Sequence, residues 1–173
     1  ELRLPYGPAS RPEAIYLLGD FGVVIKGTGA SLTEPVRQLY FGDICFQGLP
    51  FYGGNLTYQL TLPELTAADA TVECSYYRGE LLELSLDGHT LGPLAFSPYQ
   101  QELGPLDGRP HTLEIRFLGC RVNTFGQLHL TEHDNYHWWG PESWRSKGTE
   151  WTYGYHLWPQ GLLKAPDLLL PIN

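Results

Sequence analysis

Apolar and polar residues alternate with a period of two through much of this chain. The clearest runs place their apolar residues at Leu56, Tyr58, Leu60 and Leu62, at Leu82, Leu84 and Leu86, and at Leu113, Ile115 and Phe117. Because successive side chains of a strand point to opposite faces, each run predicts a strand with one buried face and one solvent face. No stretch of about a dozen residues keeps its apolar positions at helical spacing. The pattern therefore predicts an all-β chain without a helix longer than about three turns.

Turn-forming pairs separate these runs and set the spacing of the strands. They are Gly19-Asp20, Gly53-Gly54, Asp87-Gly88 and Asp107-Gly108. Both residues of Asp87-Gly88 tolerate a positive φ, which predicts the tip of a β-hairpin. Roughly eight to ten strands about a dozen residues apart are typical of a jelly-roll or a related β-sandwich. We expect its core to contain Leu60, Val72, Leu84, Leu86, Leu113, Ile115 and Phe117.

The chain divides into a short N-terminal segment and one domain. Residues 1–13 are rich in proline and predict a strap or linker from a preceding domain, whereas residues 14–173 predict a single β-sandwich. Strand periodicity begins near Ile15, and residues 165–173 predict a last strand. At 173 residues the chain can bury roughly two thirds of its unfolded surface in one core. The absence of methionine leads us to expect a piece of a longer polypeptide.

Charge and cysteine content narrow the classes of partner and compartment. A net charge of -8 and a pI near 5.1 would repel phosphate backbones, so we expect no nucleic-acid partner. No apolar run approaches the length that spans a membrane, so we expect no membrane partner. Cys45, Cys74 and Cys120 are odd in number and far apart, which argues for a reducing compartment. Cys74 alternates with Val72 and Tyr76 and is predicted to be a buried thiol.

All five tryptophans fall within residues 138–158. Flat aromatic rings suit the apolar face of a sugar, but aromatic residues also fill β-sandwich cores. We predict that one group forms the core face of a strand, namely Trp151, Tyr153, Tyr155 and Leu157. The remaining three, Trp138, Trp139 and Trp144, lie in an irregular polar segment. There they form either an exposed stacking platform or a loop folded over the end of the sandwich.

The candidate carbohydrate-binding residues come from this irregular segment. They are Tyr136, His137, Trp138, Trp139, Glu142, Trp144 and Arg145. The rings would stack on a sugar, and the polar side chains would bond its hydroxyls. Several carboxylates also lie here, but nothing in the sequence singles out an acid and base pair among them. A glycosidase barrel would also need helices that alternate with strands, so we predict no catalytic residue.

Three histidines spaced by four, His129, His133 and His137, form an alternative candidate site. On a helix this spacing would place three imidazoles on one face, as a metal site requires. Leu128 and Leu130 flank His129 with strand-like alternation, however, which favours surface or capping histidines. The alternative hypothesis is a metal-dependent sugar-modifying jelly-roll enzyme that uses these three histidines.

Several segments carry a resemblance to a known family of domains. They are residues 48–58, Leu62-Pro63-Glu64, Leu86-Asp87-Gly88-His89-Thr90-Leu91-Gly92, Pro98-Tyr99, residues 111–117, Arg121-Val122-Asn123-Thr124-Phe125-Gly126 and residues 158–163. These segments resemble the galactose-binding-like jelly-roll domains of bacterial glycoside hydrolases. They are similar in particular to the sugar-binding domains of family 2 enzymes and to modules of large glycosidases related to rhamnosidases.

The resemblance implies a non-catalytic accessory domain of a larger glycoside hydrolase. Such domains bind carbohydrate, bind a structural calcium ion, or support the catalytic domain of the same polypeptide. We accordingly expect carbohydrate and that catalytic domain as partners, no cofactor beyond such a calcium ion, and a bacterial, cytoplasmic location. Related glycosidases often carry a histidine-rich loop after the Arg-Asn segment, and residues 126–133 are only partly similar to it.

Overall fold

The computed structural model describes residues 3–10, 15–131 and 145–171. Within these ranges the chain forms eleven short strands and two helices of four residues each. The strands are β1 (Gly22–Lys26), β2 (Gly29–Thr33), β3 (Asn55–Thr61), β4 (Thr66–Glu73), β5 (Tyr77–Arg78), β6 (Leu81–Leu86), β7 (His89–Leu94), β8 (Gln100–Asp107), β9 (Thr112–Leu118), β10 (Gly161–Leu162) and β11 (Asp167–Leu169). The helices are a 3₁₀ helix over Ile44–Gln47 and α1 over Val122–Phe125. None of the described helices has the length and apolar character needed to cross a bilayer.

Two antiparallel sheets hold most of the strands. One has four strands in the order β3-β9-β6-β7, and the other has three in the order β11-β4-β8. Strands β1 and β2 form a separate hairpin, and β5 pairs with β10. The main core cluster takes side chains from both of the larger sheets. The domain is therefore an all-β sandwich, as the alternation predicts.

The core lies between these two sheets. Strands β6 and β9 bury alternate side chains, which are Leu82, Leu84, Leu86, Leu113, Ile115 and Phe117. From the opposite sheet, β4 and β8 bury Ala70, Val72, Leu103 and Leu106. The predicted core is confirmed except at Leu60, which is half-buried and packs against the cluster. Strand β3 is the outermost strand of its sheet, so Leu60 has a neighbouring strand on one side only.

The Asp87-Gly88 pair forms the tip of the β6–β7 hairpin, as predicted. Leu86 pairs with His89, and the two residues between them have φ angles of 49° and 79°. These are left-handed values, which glycine adopts freely and aspartate tolerates.

The prediction for the start of the first strand is wrong. Strand β1 begins at Gly22, whereas residues 15–18 lie outside any strand. The side chains of residues 15–18 are all exposed, so the apolar character near Ile15 does not mark a buried sheet face. The predicted C-terminal strand is confirmed by β11, which pairs with β4.

The three cysteines are free thiols, and two of them are buried. Burial, reinforced by the neighbouring Asp43 carboxylate, raises the pKa of Cys45 to about 12. Burial likewise raises the pKa of Cys74 to about 11, with smaller contributions from nearby carboxylates. Because the thiolate is the reactive form, Cys45 and Cys74 are unreactive core residues at neutral pH. The prediction of a buried Cys74 is confirmed.

A charged cluster surrounds the buried His111 near the β6–β7 hairpin tip. His111 Nδ1 lies 2.8 Å from Asp87 Oδ2, and His111 Nε2 lies 3.1 Å from Asp107 Oδ1. A hydrogen bond from the Thr112 N–H, then one from His111, holds the pKa of Asp87 below its usual value. Desolvation acts to raise the pKa of Asp107, but the Arg109 N–H bond and the charges of Arg109 and His111 outweigh it and lower that pKa.

Acid should weaken this cluster. Both carboxyls have a folded-state pKa below the ordinary 3.8. Their contribution to stability is therefore complete above the unfolded-state pKa and is lost as pH falls through the lowered folded-state pKa. We expect the free energy of unfolding, measured by urea titration, to fall between about pH 5 and about pH 2. Asp87→Asn should remove part of that fall, and Asp20→Asn, an exposed carboxylate elsewhere, should not. An unchanged pH dependence in Asp87→Asn would contradict the prediction.

Candidate functional site

The loops that follow β9 gather at one end of the sandwich, where a buried amide fixes their arrangement. Asn123 in α1 is fully buried. Its Nδ2 donates to Trp158 O at 2.8 Å, and its Oδ1 accepts from the Trp158 N–H at 2.9 Å. Asn123 Nδ2 also lies 3.3 Å from Cys45 Sγ, which ties the 3₁₀ helix to the same point. One side chain therefore sets both the position and the direction of the chain at Trp158.

The loop before β3 is held against α1. Thr124 Oγ1 donates to Phe51 O at 2.9 Å. A Cβ at Gly53 would lie 2.5 Å from Thr124 Oγ1, so glycine is required for this close approach. The Phe51 ring consequently lies 5.5 Å from the Tyr155 ring, measured between centroids.

Residues 128–131 and 149–156 run beside each other at this end. Three main-chain bonds of 2.8–3.1 Å join them, from Thr131 N–H to Glu150 O, from Thr152 N–H to His129 O and from His156 N–H to Leu128 O. Gln127 Nε2 donates to Arg145 O at 2.9 Å. Thr131 and Arg145 therefore both lie at this end of the sandwich.

These loops carry a cluster of five rings that we call the aromatic end, formed by Phe51, His129, Trp151, Tyr153 and Tyr155. The His129 ring lies 5.9 Å from Trp151 and 4.8 Å from Tyr155 between centroids. Tyr153 stands edge-on to Trp151, with centroids 4.4 Å apart and an interplanar angle of 75°. Tyr153 is 72% exposed, whereas the other four rings are half-buried. The aromatic end is thus a packed support that presents one ring to solvent.

A hydrogen bond to the main chain fixes the His129 ring within this cluster. A carbonyl oxygen can only accept, so His129 Nδ1 carries the proton that it donates to Gly154 O at 2.9 Å. The Gly154 N–H in turn donates to Thr152 Oγ1 at 3.2 Å. These bonds hold the backbone bend beside Tyr153 and fix the orientation of the His129 ring.

Charged groups lie next to the aromatic end. Arg145 Nε lies 3.6 Å from Glu150 Oε2, and both side chains are largely open to solvent. An exposed ring, guanidinium donors and carboxylate acceptors at one end of a domain are the groups that suit the C–H face and hydroxyl groups of a sugar. The arrangement therefore offers a surface for stacking and for hydrogen bonding.

Arg145 is the one candidate binding residue within the described ranges, and it lies at this end of the sandwich. The other candidates lie outside the described residues, so their role stays a prediction. They are Tyr136, His137, Trp138, Trp139, Glu142 and Trp144.

The prediction that Trp151, Tyr153, Tyr155 and Leu157 form the core face of a strand is wrong. Tyr153 is exposed, the other three are half-buried, and none of the four belongs to the main core cluster. In place of a strand, the segment makes one isolated bridge, between Leu130 and Trp151. It bonds residues 128–131 and does not lie between the sheets, and the Asn123 amide fixes the chain just after it, at Trp158.

The metal-site hypothesis has no ligand set within the described part of the chain. There, no group of three or more histidine, cysteine, aspartate or glutamate side chains could hold a metal ion. His129 uses its Nδ1 to bond Gly154 O, and His133 and His137 lie outside the described residues. The described residues likewise provide no set of carboxylates for a structural calcium ion.

Sequence reasoning missed the residues that build the aromatic end. Asn123 and Trp158 are 35 positions apart, and no periodic pattern links them. Phe51 and His129 gave no signal of their contacts with Tyr155, because they lie in different loops. The one available hint was the Gly53-Gly54 pair, which permits a close loop approach.

The fold and the site together define an all-β sandwich with a loop-built aromatic end. No family model matches the chain, and no curated protein matches it. Among solved structures, a rhamnosidase from Novosphingobium sp. PP1Y is similar at 16% identity and a TM-score of 0.49. That match covers 96% of this chain and 16% of the rhamnosidase, so this chain spans a small part of that protein's length.

Proposed function

We propose that this chain is a non-catalytic accessory domain of a larger glycoside hydrolase and that its aromatic end contacts carbohydrate. The exposed Tyr153 ring on its packed support carries this proposal. Solvent-exposed aromatic rings cost free energy in water, and a sugar face is one surface that covers a single flat ring. The Arg145 and Glu150 side chains at the same end of the sandwich supply the donors and acceptors that such a ligand needs.

The sandwich architecture supports an accessory role. Strands β4, β6, β8 and β9 bury their apolar side chains within the domain, and the loops at one end present the ring and the charged pair. The resemblance to sugar-binding domains of glycoside hydrolases supports the same role. In this proposal the catalytic domain of the same polypeptide performs hydrolysis, and the present domain holds the enzyme near its substrate.

Stacking on one exposed ring sets the expected affinity. Such a contact is worth about 1 kcal/mol in water, and association entropy opposes it, so binding to a monosaccharide should be on the order of millimolar. Trp151 contacts Tyr153 directly and reports on it by fluorescence. Titration with a panel of mono- and oligosaccharides should give a saturable fluorescence change, and Tyr153→Ala should weaken it about fivefold.

A matched tyrosine provides the control. Tyr76 is also exposed but lies beneath Arg78 and not at the aromatic end. Tyr76→Ala should bind like the unaltered chain, and both variants should keep the same melting temperature. If no sugar gives saturation at tens of millimolar, the domain is a structural support alone; equal weakening in both variants would place the sugar elsewhere.

A further inference from the structure

One edge of β3 carries main-chain groups that no other described strand satisfies. The Leu62 N–H donates to His111 O at 2.9 Å, and antiparallel pairs alternate between bonded and non-bonded positions. Every second residue from Leu62 back along β3 therefore bonds β9. The N–H and C=O groups of Thr57 and Gln59 point the other way, and within the described ranges they have no main-chain partner.

An open groove of about 1030 Å³ separates this edge from residues 35–41. Residues 35–41 form the wall of the groove opposite β3, and Gln47 holds this wall in place. Gln47 Oε1 accepts from the Tyr40 N–H at 2.8 Å, and Gln47 Nε2 donates to Tyr40 O at 3.2 Å. The Phe41 ring stacks on Tyr58 with centroids 5.9 Å apart and planes at 12°. The wall is thus tied down across the groove, and it does not pair with β3.

Strand β3 also lacks the features that usually protect a sheet edge. Its sequence, Asn-Leu-Thr-Tyr-Gln-Leu-Thr, contains no charged residue and no proline, and its pairing with β9 has no bulge. Natural edge strands are commonly blocked by such features or are covered. The unprotected edge at Thr57 and Gln59 therefore indicates a strand that is covered in use.

We infer that this groove takes one added β-strand, supplied by a neighbouring part of the same polypeptide. The inference rests on the proposed role as an accessory domain of a longer chain. The main-chain groups of Thr57 and Gln59, which have no main-chain partner among the described residues, are two residues apart, and this is the repeat that an added strand matches. Asp20 and Arg37 also line the groove, and neither has an ion-pair partner in the described part of the chain. The added strand should therefore carry one charge of each sign.

The form of the groove favours a tethered strand over a free one. Because the groove is open to solvent, a free peptide would gain little burial and would lose its chain entropy on binding. A strand on the same polypeptide has an effective concentration on the order of millimolar, which is enough to fill a weak site. A second copy fits less well, because residues 35–41 stand where its sheet would have to continue.

Amide hydrogen exchange tests the inference in the isolated chain and in the longer polypeptide. The Thr57 and Gln59 amides should exchange rapidly in the isolated chain. In the longer polypeptide they should exchange at least about 100-fold more slowly, since an added strand would bond them. The Tyr58 and Leu60 amides, which bond β9, should be slow in both and serve as internal controls.

Two substitutions at one position sharpen the test. Thr57→Pro removes the outward N–H and leaves every bond to β9 intact, as proline allows on an edge strand. In the longer polypeptide it should abolish the protection of Gln59, whereas Thr57→Ala should preserve it. Equal protection in these two variants would argue against strand addition.

Three other results would overturn the inference. The first is equally fast exchange of Thr57 and Gln59 in both polypeptides. The second is concentration-dependent protection in the isolated chain, which would identify a second copy. The third is protection of the isolated chain by an oligosaccharide from the titration panel, which would make the groove a sugar site. Strand protection in the longer polypeptide without sugar binding at Tyr153 would refute the sugar contact alone, so the two proposals fail separately.

Discussion

Replacing Phe117 with alanine should lower the free energy of unfolding by about 3–5 kcal/mol. Phe117 is fully buried in β9, between the partners Leu56 in β3 and Leu82 in β6. Gly79 lies so close to the ring that a Cβ there would collide with it. Packing this tight leaves a cavity when the ring is removed, because the surrounding sheet cannot collapse to fill it. Urea unfolding followed by fluorescence measures the change.

Phe46 provides a matched control for Phe117. It lies in the 3₁₀ helix and is 88% exposed, so Phe46→Ala removes the same ring from solvent and not from the core. The expected change in unfolding free energy is within about 0.5 kcal/mol. Similar losses in the two variants would contradict the assignment of Phe117 to the centre of the core.

Replacing Asn123 with alanine should destabilise the domain by about 2–4 kcal/mol. The variant removes both hydrogen bonds to the Trp158 main chain and leaves the N–H and C=O of Trp158 without those partners. A polar group that loses its partner in a buried site costs more than the net value of the bond, because water does not replace the partner fully. The same variant should weaken the proposed sugar binding, since Trp158 lies close in sequence to Tyr155 of the aromatic end.

Asn55 serves as the control for Asn123. It is an exposed residue at the start of β3, and Asn55→Ala removes the same amide from the surface. Its unfolding free energy should change by no more than about 0.5 kcal/mol. If Asn123→Ala is equally mild, the Trp158 bonds do not hold the sandwich end together.

The strands of the sandwich could be predicted because their signal is local. Alternation at Leu82, Leu84 and Leu86 requires only that neighbouring side chains point to opposite faces. The Asp87-Gly88 hairpin is predictable for the same reason, since its positive φ angles are a property of two adjacent residues.

The aromatic residues of the candidate site could not be assigned from the same signal. Alternation at Trp151, Tyr153 and Tyr155 imitates a core strand, yet the structure places Tyr153 in solvent. A core strand has a partner strand alongside it, whereas the segment from Trp151 to Tyr155 lies against the loop at His129. A pattern within one segment carries no information about which distant segment it meets.

The sequence by itself determined the all-β class, the core positions of β6 and β9, and the turn that joins β6 to β7. Only the tertiary structure decided that Asn123 bonds Trp158 across 35 positions and Cys45 across 78. The same holds for the groove, which exists because residues 35–41 are held away from the edge of β3 by Gln47. Periodicity along a strand reports which face of the sheet each side chain lies on. A site depends instead on the long-range packing that brings separate segments together.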